Sequence, residues 1–313
     1  MAAMDAASAG LALGVVADLA LGDPRRGHPV AGFGRAAAAM ERRLWRDSRT
    51  CGAAYALTLA GGAAGLGRSL DRVTRGHFLA RTAVTALVTW TVLGGTSLGR
   101  AAERMHAALD ADDLTAARDA LPALAGRDPS RLDAPELARA TVESVAENTS
   151  DAAVAPLFWG AIAGLPGLLG YRAVNTLDAM VGHRSPRHER FGWAAARLDD
   201  AANWLPARLT AALTVACAPF SGGSAREALR IWRRDGAAHP SPNAGRCEAA
   251  MAGALGVRLG GRNRYGDRIE DRPHLGDDRA PRTADIPRAV RISQWVWLSG
   301  AVLAVVVTRM RRD

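Results

Sequence analysis

Apolar residues gather along the chain in six blocks divided by charged stretches. The first, Ala9–Leu21, is short and contains Asp18; the second, Gly52–Gly67, is rich in Gly and Ala. The third, Thr82–Gly99, runs 18 residues without a charge, and the fourth, Ala152–Tyr171, runs 20, with Pro156, Pro166 and four glycines inside it. The fifth, Asn203–Phe220, carries Arg208 near its start. The last, Ile292–Thr308, has Trp295 and Trp297 at one end and Arg309, Arg311 and Arg312 beyond the other. A helix needs roughly 20 apolar residues to cross the hydrocarbon of a bilayer. The third, fourth and last blocks meet that length, while the others are core helices, re-entrant pieces or marginal crossings. Trp followed by Arg at the rim of a block is an interface feature. The pattern therefore predicts an all-α, polytopic integral membrane protein with about 4–6 membrane-associated helices.

Between the blocks the chain also reads as helix. Asp112–Leu124 and Ala134–Val145 have helical spacing, with Pro135 suited to a first turn. Ser224–Arg234 reads as a short basic helix, and His239–Asn243 as a turn into an Ala/Gly helix running from Ala244 to near Leu259. On that helix Gly245, Ala249 and Gly253 fall four apart, which allows close helix contact. Residues 261–288 are charged, hold three prolines and read as an extended surface loop. No repeat and no strand-rich region is evident, so residues 1–313 read as one domain.

Composition adjusts this picture in three ways. Mean hydropathy is near zero, so substantial water-facing loops must accompany the apolar blocks. The 40 cations are all Arg, against 31 acids, for a net charge of +9. Without Lys there is no phosphate-binding P-loop. The arginines are interspersed with acids instead of forming one basic face, which argues against nucleic acid as a partner. If all six blocks cross, loops 23–51, 100–151 and 221–288 share a side and hold 26 Arg, against 12 in loops 68–81 and 172–202 plus the tail. Arg bias predicts that the first set is cytoplasmic. Cys51, Cys217 and Cys247 show no metal or disulfide spacing. Asp5, with no basic region before the first block, argues against a cleaved secretory signal.

Five polar clusters could carry chemistry. Glu143, Glu147 and Asp151 are spaced i, i+4, i+8 and fall within an arc of about 80° on a helix. Three carboxylates on one stripe repel unless a cation sits among them. Hard oxygen ligands suit Mg²⁺ with a phosphate, and Asn148 adds polar reach; the alternative is an acidic face paired to Arg139 or other arginines. Asn175, Asp178, His183 and Arg184 follow the fourth block, where ionisable groups beside the membrane suggest function; the alternative is a helix end at Gly182 answered by His183 and Arg184. Asp199 and Asn203 share a face at the entry to the fifth block. Asp23 and His28 lie in a stiff Gly/Pro turn and are either site groups or turn formers. Asn243 and Arg246 stand at a helix N-terminus, suited to a phosphate or to an ordinary cap. Taken from spacing alone, the chain is a helical membrane protein with a carboxylate-rich polar site.

The order of these clusters resembles the CobD/CbiB family of adenosylcobinamide-phosphate synthases. The matching stretches are Asp18-Leu-Ala-Leu-Gly-Asp-Pro-Arg-Arg-Gly-His-Pro-Val30, Leu132 through Glu143, Glu147 and Asp151, and Ala155-Pro-Leu-Phe-Trp159. They continue with Asn175-Thr-Leu-Asp-Ala-Met-Val-Gly-His-Arg184, Leu198-Asp-Asp-Ala-Ala-Asn-Trp-Leu-Pro-Ala-Arg208, Ser241-Pro-Asn-Ala-Gly245 and Tyr265-Gly266 to Leu275-Gly276. The resemblance runs nearly end to end; one departure is Arg where other members often use Lys. It implies a multi-pass protein of the cell membrane that joins aminopropanol, or its O-phosphate, to a propionate of adenosylcobyric acid at the expense of ATP. Corrinoid and amino-alcohol substrates and membrane lipid are then its partners, with other enzymes of the pathway and further copies of the chain left open.

On that reading Glu143, Glu147 and Asp151 are ligands of Mg²⁺. Arg184 and Arg246 are candidate phosphate clamps, with Asp23, His28, Asn148, Asn175, Asp199, Asn203 and Asn243 as further substrate-binding groups. Asp178 or His183 accepts the proton of the amine. Simple alternation of spans puts the Asn175–Arg184 cluster opposite the Glu143–Asp151 cluster, so Ala152–Tyr171 is predicted to be broken or re-entrant. A transporter for a corrinoid or another polar metabolite is the rival reading, resting on Asp18, Arg208 and that interrupted block; a non-catalytic scaffold for corrinoid enzymes is a third.

Overall fold

A computed structural model describes residues 5–24, 27–183, 185–265, 268–277 and 279–311. In chain order the helices are α1 (Ala6–Leu21), α2 (Pro29–Leu44), α3 (Arg49–Val73), α4 (Phe78–Val92), α5 (Gly95–Asp110), α6 (Leu114–Ala120) and α7 (Ala134–Thr149). There follow α8 (Ala155–Leu177), α9 (Trp193–Ala202), α10 (Trp204–Cys217), α11 (Ala225–Asp235), α12 (Ala244–Leu255) and α13 (Asp285–Met310). Strands β1 (Leu259–Tyr265) and β2 (Arg268–Leu275) form one antiparallel hairpin. Among the described residues three helical stretches are long and apolar enough to cross a membrane: Phe78–Asp110, Ala134–Gly182 and Asp285–Met310. These contain the three blocks whose length met the requirement in the sequence.

The contacts group the chain into two compact units interleaved in sequence. The first holds residues 1–94, 155–203 and 300–313, the second 95–154 and 204–299. In the first unit α1 packs on α4 and α3 on α8. The α1–α4 contact is close because Gly10 and Gly14 lie against Thr85 and Thr89, where a side chain would overlap them. Tyr55, Phe191, Leu177 and Val181 form one apolar core of this unit, and Leu11, Val88, Val92, Leu165 and Leu168 another.

The fourth block is interrupted, as its composition predicted. Gly164 has φ 65° and ψ −142° inside the α8 range. A side chain there would meet no neighbour, so the need for glycine is conformational and not steric. Pro166 follows, suited to restarting a helix. The halves on either side of the break touch each other: Gly160 lies under Leu168 and Gly167 against the Trp159 carbonyl. Arg311 donates to the carbonyls of Ala161 and Ile162, which the break leaves without helical partners.

In the second unit α7 packs on α5 and α12, and α10 and α11 pack on α12. A capping box starts α7: the Asp133 carboxylate accepts from Glu136 N, and the Glu136 carboxylate from Asp133 N. The hairpin corrects the extended loop expected from residue 261 onward. Its charged strands lack the apolar alternation that marks a strand, and what holds them is tertiary. Arg139 donates to the Gly260 and Arg262 carbonyls, and Gly260 N donates to Glu143 Oε1 at 2.7 Å. Two π-helical turns, Ser150–Val154 and Asp178–Gly182, follow α7 and α8 directly. Such turns recur at functional sites, and these two hold Asp151 and Asp178.

Candidate active site

Glu143 and Glu147 lie on α7 and Asp151 in the π-helical turn after it, and the two glutamates have different surroundings. Glu143 is 3% exposed and fully engaged: it pairs with Arg127, lies 3.7 Å from Arg139 Nη1 and accepts the Gly260 N–H. Glu147, one turn on, faces the neighbouring helix α12, where the sequence reading overlooked Glu248. That residue is 1% exposed, and neither of its carboxylate oxygens has a hydrogen-bond partner among the described residues. Burial, with Glu143 and Glu147 as like charges, holds the Glu248 carboxyl well above the usual carboxylate range, against the pull of Arg272 and Arg127. His239 Nε2 lies 3.9 Å from Glu248 Oε1 and 3.2 Å from Arg272 Nη1. Burial and Arg272 push this histidine down to about 4, so it is neutral at pH 7.

The second unit thus assembles Glu143, Glu147 and Glu248 with Arg127, Arg139 and Arg272. The arginines come from a loop, a helix and a strand that no local pattern connects. Among the described residues no three His, Cys, Asp or Glu side chains are grouped to hold a metal by themselves. A magnesium–phosphate complex does not require three, because Mg²⁺ keeps several waters and takes one or two carboxylates. Glu248, with both buried oxygens open, fits that chemistry; Glu143 is held by two arginines and the Gly260 N–H. Asn148 turns its amide nitrogen back to Ser144, 3.0 Å from the carbonyl and 3.2 Å from the hydroxyl. Asn243 is buried at the start of α12, where Ser241, not Asn243, caps the helix by accepting from Ala244 N at 3.1 Å. Arg246 lies on the first turn of that helix, and its Nε has no partner among the described residues.

A second polar network lies in the first unit and brings together three of the predicted residues. Asn175 Nδ2 donates to Asp199 Oδ1 at 3.4 Å, and Asn203 Nδ2 donates to Asp199 Oδ2 at 3.0 Å. Tyr171 donates from its hydroxyl to Asn203 Oδ1 at 2.9 Å, and Arg172 Nη1 to Asn175 Oδ1 at 3.4 Å. Tyr171 and Arg172 belong to this network but were hidden at the edge of an apolar block. Arg172 also borders an apolar cavity of about 360 Å³ lined by Phe33, Leu59, Leu66, Val92 and Leu169.

Asp178 folds back over Gly182, where any side chain would overlap its carboxylate. His183 follows at the surface, in contact with His188. Arg184 lies outside the described residues. Asp23 sits in the turn before α2, and His28 caps that helix, its Nδ1 accepting from Val30 N at 3.2 Å.

A family model described as CobD/Cbib protein matches residues 11–293 of this chain. The chain belongs to the CobD/CbiB family. Among its relatives, the cobalamin biosynthesis protein CobD of Mycobacterium tuberculosis (strain ATCC 25618 / H37Rv) is 55% identical over 303 residues, covering 97% of this chain and 96% of the relative. The protein of the same name from Geobacter metallireducens is 44% identical, covering 97% and 98%. That from Rhodobacter capsulatus is 42% identical, covering 90% of each. No solved structure matches the chain. Both polar networks, the broken helix and the hairpin lie within the residues that the family model matches.

Proposed function

We propose that this chain acts in cobalamin biosynthesis as an ATP-dependent ligase, forming the amide between a propionate of adenosylcobyric acid and aminopropanol or its O-phosphate. The observation that carries the reading is Glu248: a buried carboxylate with both oxygens open, beside Glu147, Arg127 and Arg272, in a chain of this family. A carboxylate is a poor acyl donor, and transfer of the γ-phosphoryl of ATP makes it an acyl phosphate. Mg²⁺ would be held there by Glu248 and Glu147, neutralising phosphate charge. Arg127 and Arg272 supply the positive field that receives the phosphates. Glu143 positions Arg127 and, through Gly260, the hairpin. A base takes the proton that the amine loses as it attacks, and phosphate leaves. The Asn175–Asp199–Asn203 network offers donors and acceptors for corrin amide and carboxylate groups. By its Arg excess the stretch 221–288, which holds Glu248 and Arg272, is expected on the cytoplasmic side, where ATP is.

The test is purified protein with adenosylcobyric acid, Mg-ATP and aminopropanol phosphate. Amide product is expected, falling about 10²-fold or more in Glu248→Gln and Glu147→Gln. Phosphorylation of the carboxylate, followed by isotope exchange within ATP, separates the steps. It should be lost in those two variants and kept in His183→Ala. The broken helix at Gly164, with the buried Asp18 on α1, favours a transporter. Corrinoid uptake into sealed vesicles without ATP turnover, and no amide product, would select that reading instead.

A further inference from the structure

A hydrogen-bonded series of side chains leads from Glu41 on α2 to His183. Glu41 Oε1 lies 3.0 Å from His188 Nε2, a contact between residues 147 positions apart. His188 Nδ1 lies 3.3 Å from His183 Nε2, with the rings edge to face and their centroids 4.8 Å apart. Arg187 Nε donates to the same Glu41 oxygen at 3.0 Å. The indole of Trp45 donates to the Arg187 carbonyl at 3.0 Å, and the Arg187 guanidinium lies over its ring. Burial raises the Glu41 carboxyl, but hydrogen bonds from His188 and Arg187 outweigh it, and the net displacement is downward. Glu41 is therefore a carboxylate at neutral pH.

The proton positions follow. A carboxylate only accepts, so His188 carries its proton on Nε2 and presents Nδ1 as an acceptor. His183 answers by donating from Nε2, which leaves the lone pair of its Nδ1 open. The Ser185 hydroxyl is also 3.3 Å from His188 Nδ1; its oxygen accepts the His188 backbone N–H at 3.2 Å, and its O–H shares the Nδ1 lone pair with His183. Burial and His188 hold His183 below the ordinary histidine value, against Glu41, which keeps it unprotonated near neutrality. Asp178 is the remaining carboxylate of the adjoining π-helical turn.

We propose that Glu41 and His188 are positioning residues that fix His183 in its Nε2-protonated tautomer, so that Nδ1 acts as the base toward the amino-alcohol substrate. The relay rests on the reading of His183 as that base. An orienting partner of this kind sets which imidazole nitrogen is reactive. Neither Glu41 nor His188 falls within the stretches that carry the family resemblance.

The experiment uses the full chain in detergent with ¹⁵N-labelled histidine. Two-bond correlation spectra read the His183 tautomer, and amide formation is followed in parallel. Wild type is expected to show the Nε2–H form. Glu41→Ala and His188→Ala should show mixed tautomers and a kcat lowered about 10–100-fold, with KM for Mg-ATP unchanged. His188→Asn, which keeps an acceptor near the Nδ1 position, should recover part of both. The acid limb of the pH profile should move to lower pH in Glu41→Ala, because the charge that favours imidazolium is gone. An unchanged His183 tautomer in both alanine variants overturns the relay. Full amide formation by His183→Ala overturns the base assignment itself, even where the tautomer responds as expected.

Discussion

Glu248 shows what a single residue reveals only in three dimensions. In sequence it is one acid in an Ala/Gly helix, and the eye falls on its polar neighbours Asn243 and Arg246. Yet the residues of α12 are almost all buried, Arg246 apart, so an acid in the middle of the helix has no route to water. That mismatch between residue and environment was the available signal, and reading it required knowing the packing. The stripe of Glu143, Glu147 and Asp151 was legible by period, but not the division of labour within it, because Arg127 and Gly260 arrive from distant sequence. The consequence can be measured. With its carboxyl raised by burial, Glu248 stays protonated in the folded chain at pH values where the unfolded chain has released the proton. Stability then falls as pH rises from the ordinary carboxylate range toward the raised value. Without divalent cation, Glu248→Gln should flatten that slope and raise the thermal midpoint at pH 7 by about 2–4 °C, while amide formation is lost. Added Mg²⁺ should stabilise wild type and not the variant. Equal stability of the two proteins from pH 5 to 8, with the same response to Mg²⁺, would remove Glu248 from this role.

Elements were legible where one periodicity governs them and illegible where tertiary bonds do. The α7, α11 and α13 helices follow from spacing, caps and apolar runs. The β1–β2 hairpin does not, because Arg139 and Glu143 supply hydrogen bonds that a local pattern cannot show. The interruption of α8 lies between these cases: two prolines and four glycines announced it, and the backbone localises it to Gly164. Since a Cβ at Gly164 would touch nothing, a substitution there isolates the backbone term. Gly164→Ala should cost about 1–2 kcal/mol, the price of a left-sided φ for an L-residue. Gly61→Ala is the matched control, because Gly61 also faces open space but sits in regular α3. It should be neutral or stabilising by up to about 1 kcal/mol. Thermal unfolding of both variants in one detergent gives the comparison, and equal midpoints would mean that the break at Gly164 is not enforced by its backbone.

For the whole molecule the deciding question is which solvent its outer apolar residues meet. Near-neutral mean hydropathy argued only that water-facing loops accompany the apolar blocks, and the charged hairpin and α11 now account for part of that polarity. Large apolar side chains nevertheless remain outside: Leu13, Val16 and Leu19 on α1, Leu79 and Leu87 on α4, and Val302, Leu303 and Val306 on α13. On the same helices Leu11, Val15, Val88, Val92 and Val296 are buried. A chain surrounded by water would carry polar residues on those outward faces, whereas in lipid the outward face is as apolar as the core. A photoactivatable lipid probe in proteoliposomes should therefore label Leu13, Leu19, Leu87, Val302 and Val306 and spare Leu11, Val88 and Val296. Peptide mapping by mass spectrometry reads that alternation within single helices, so it does not depend on how many helices cross. Labelling confined to polar elements such as α11 would place the protein on the membrane surface, and the three apolar stretches would then have to be covered by another copy or another chain.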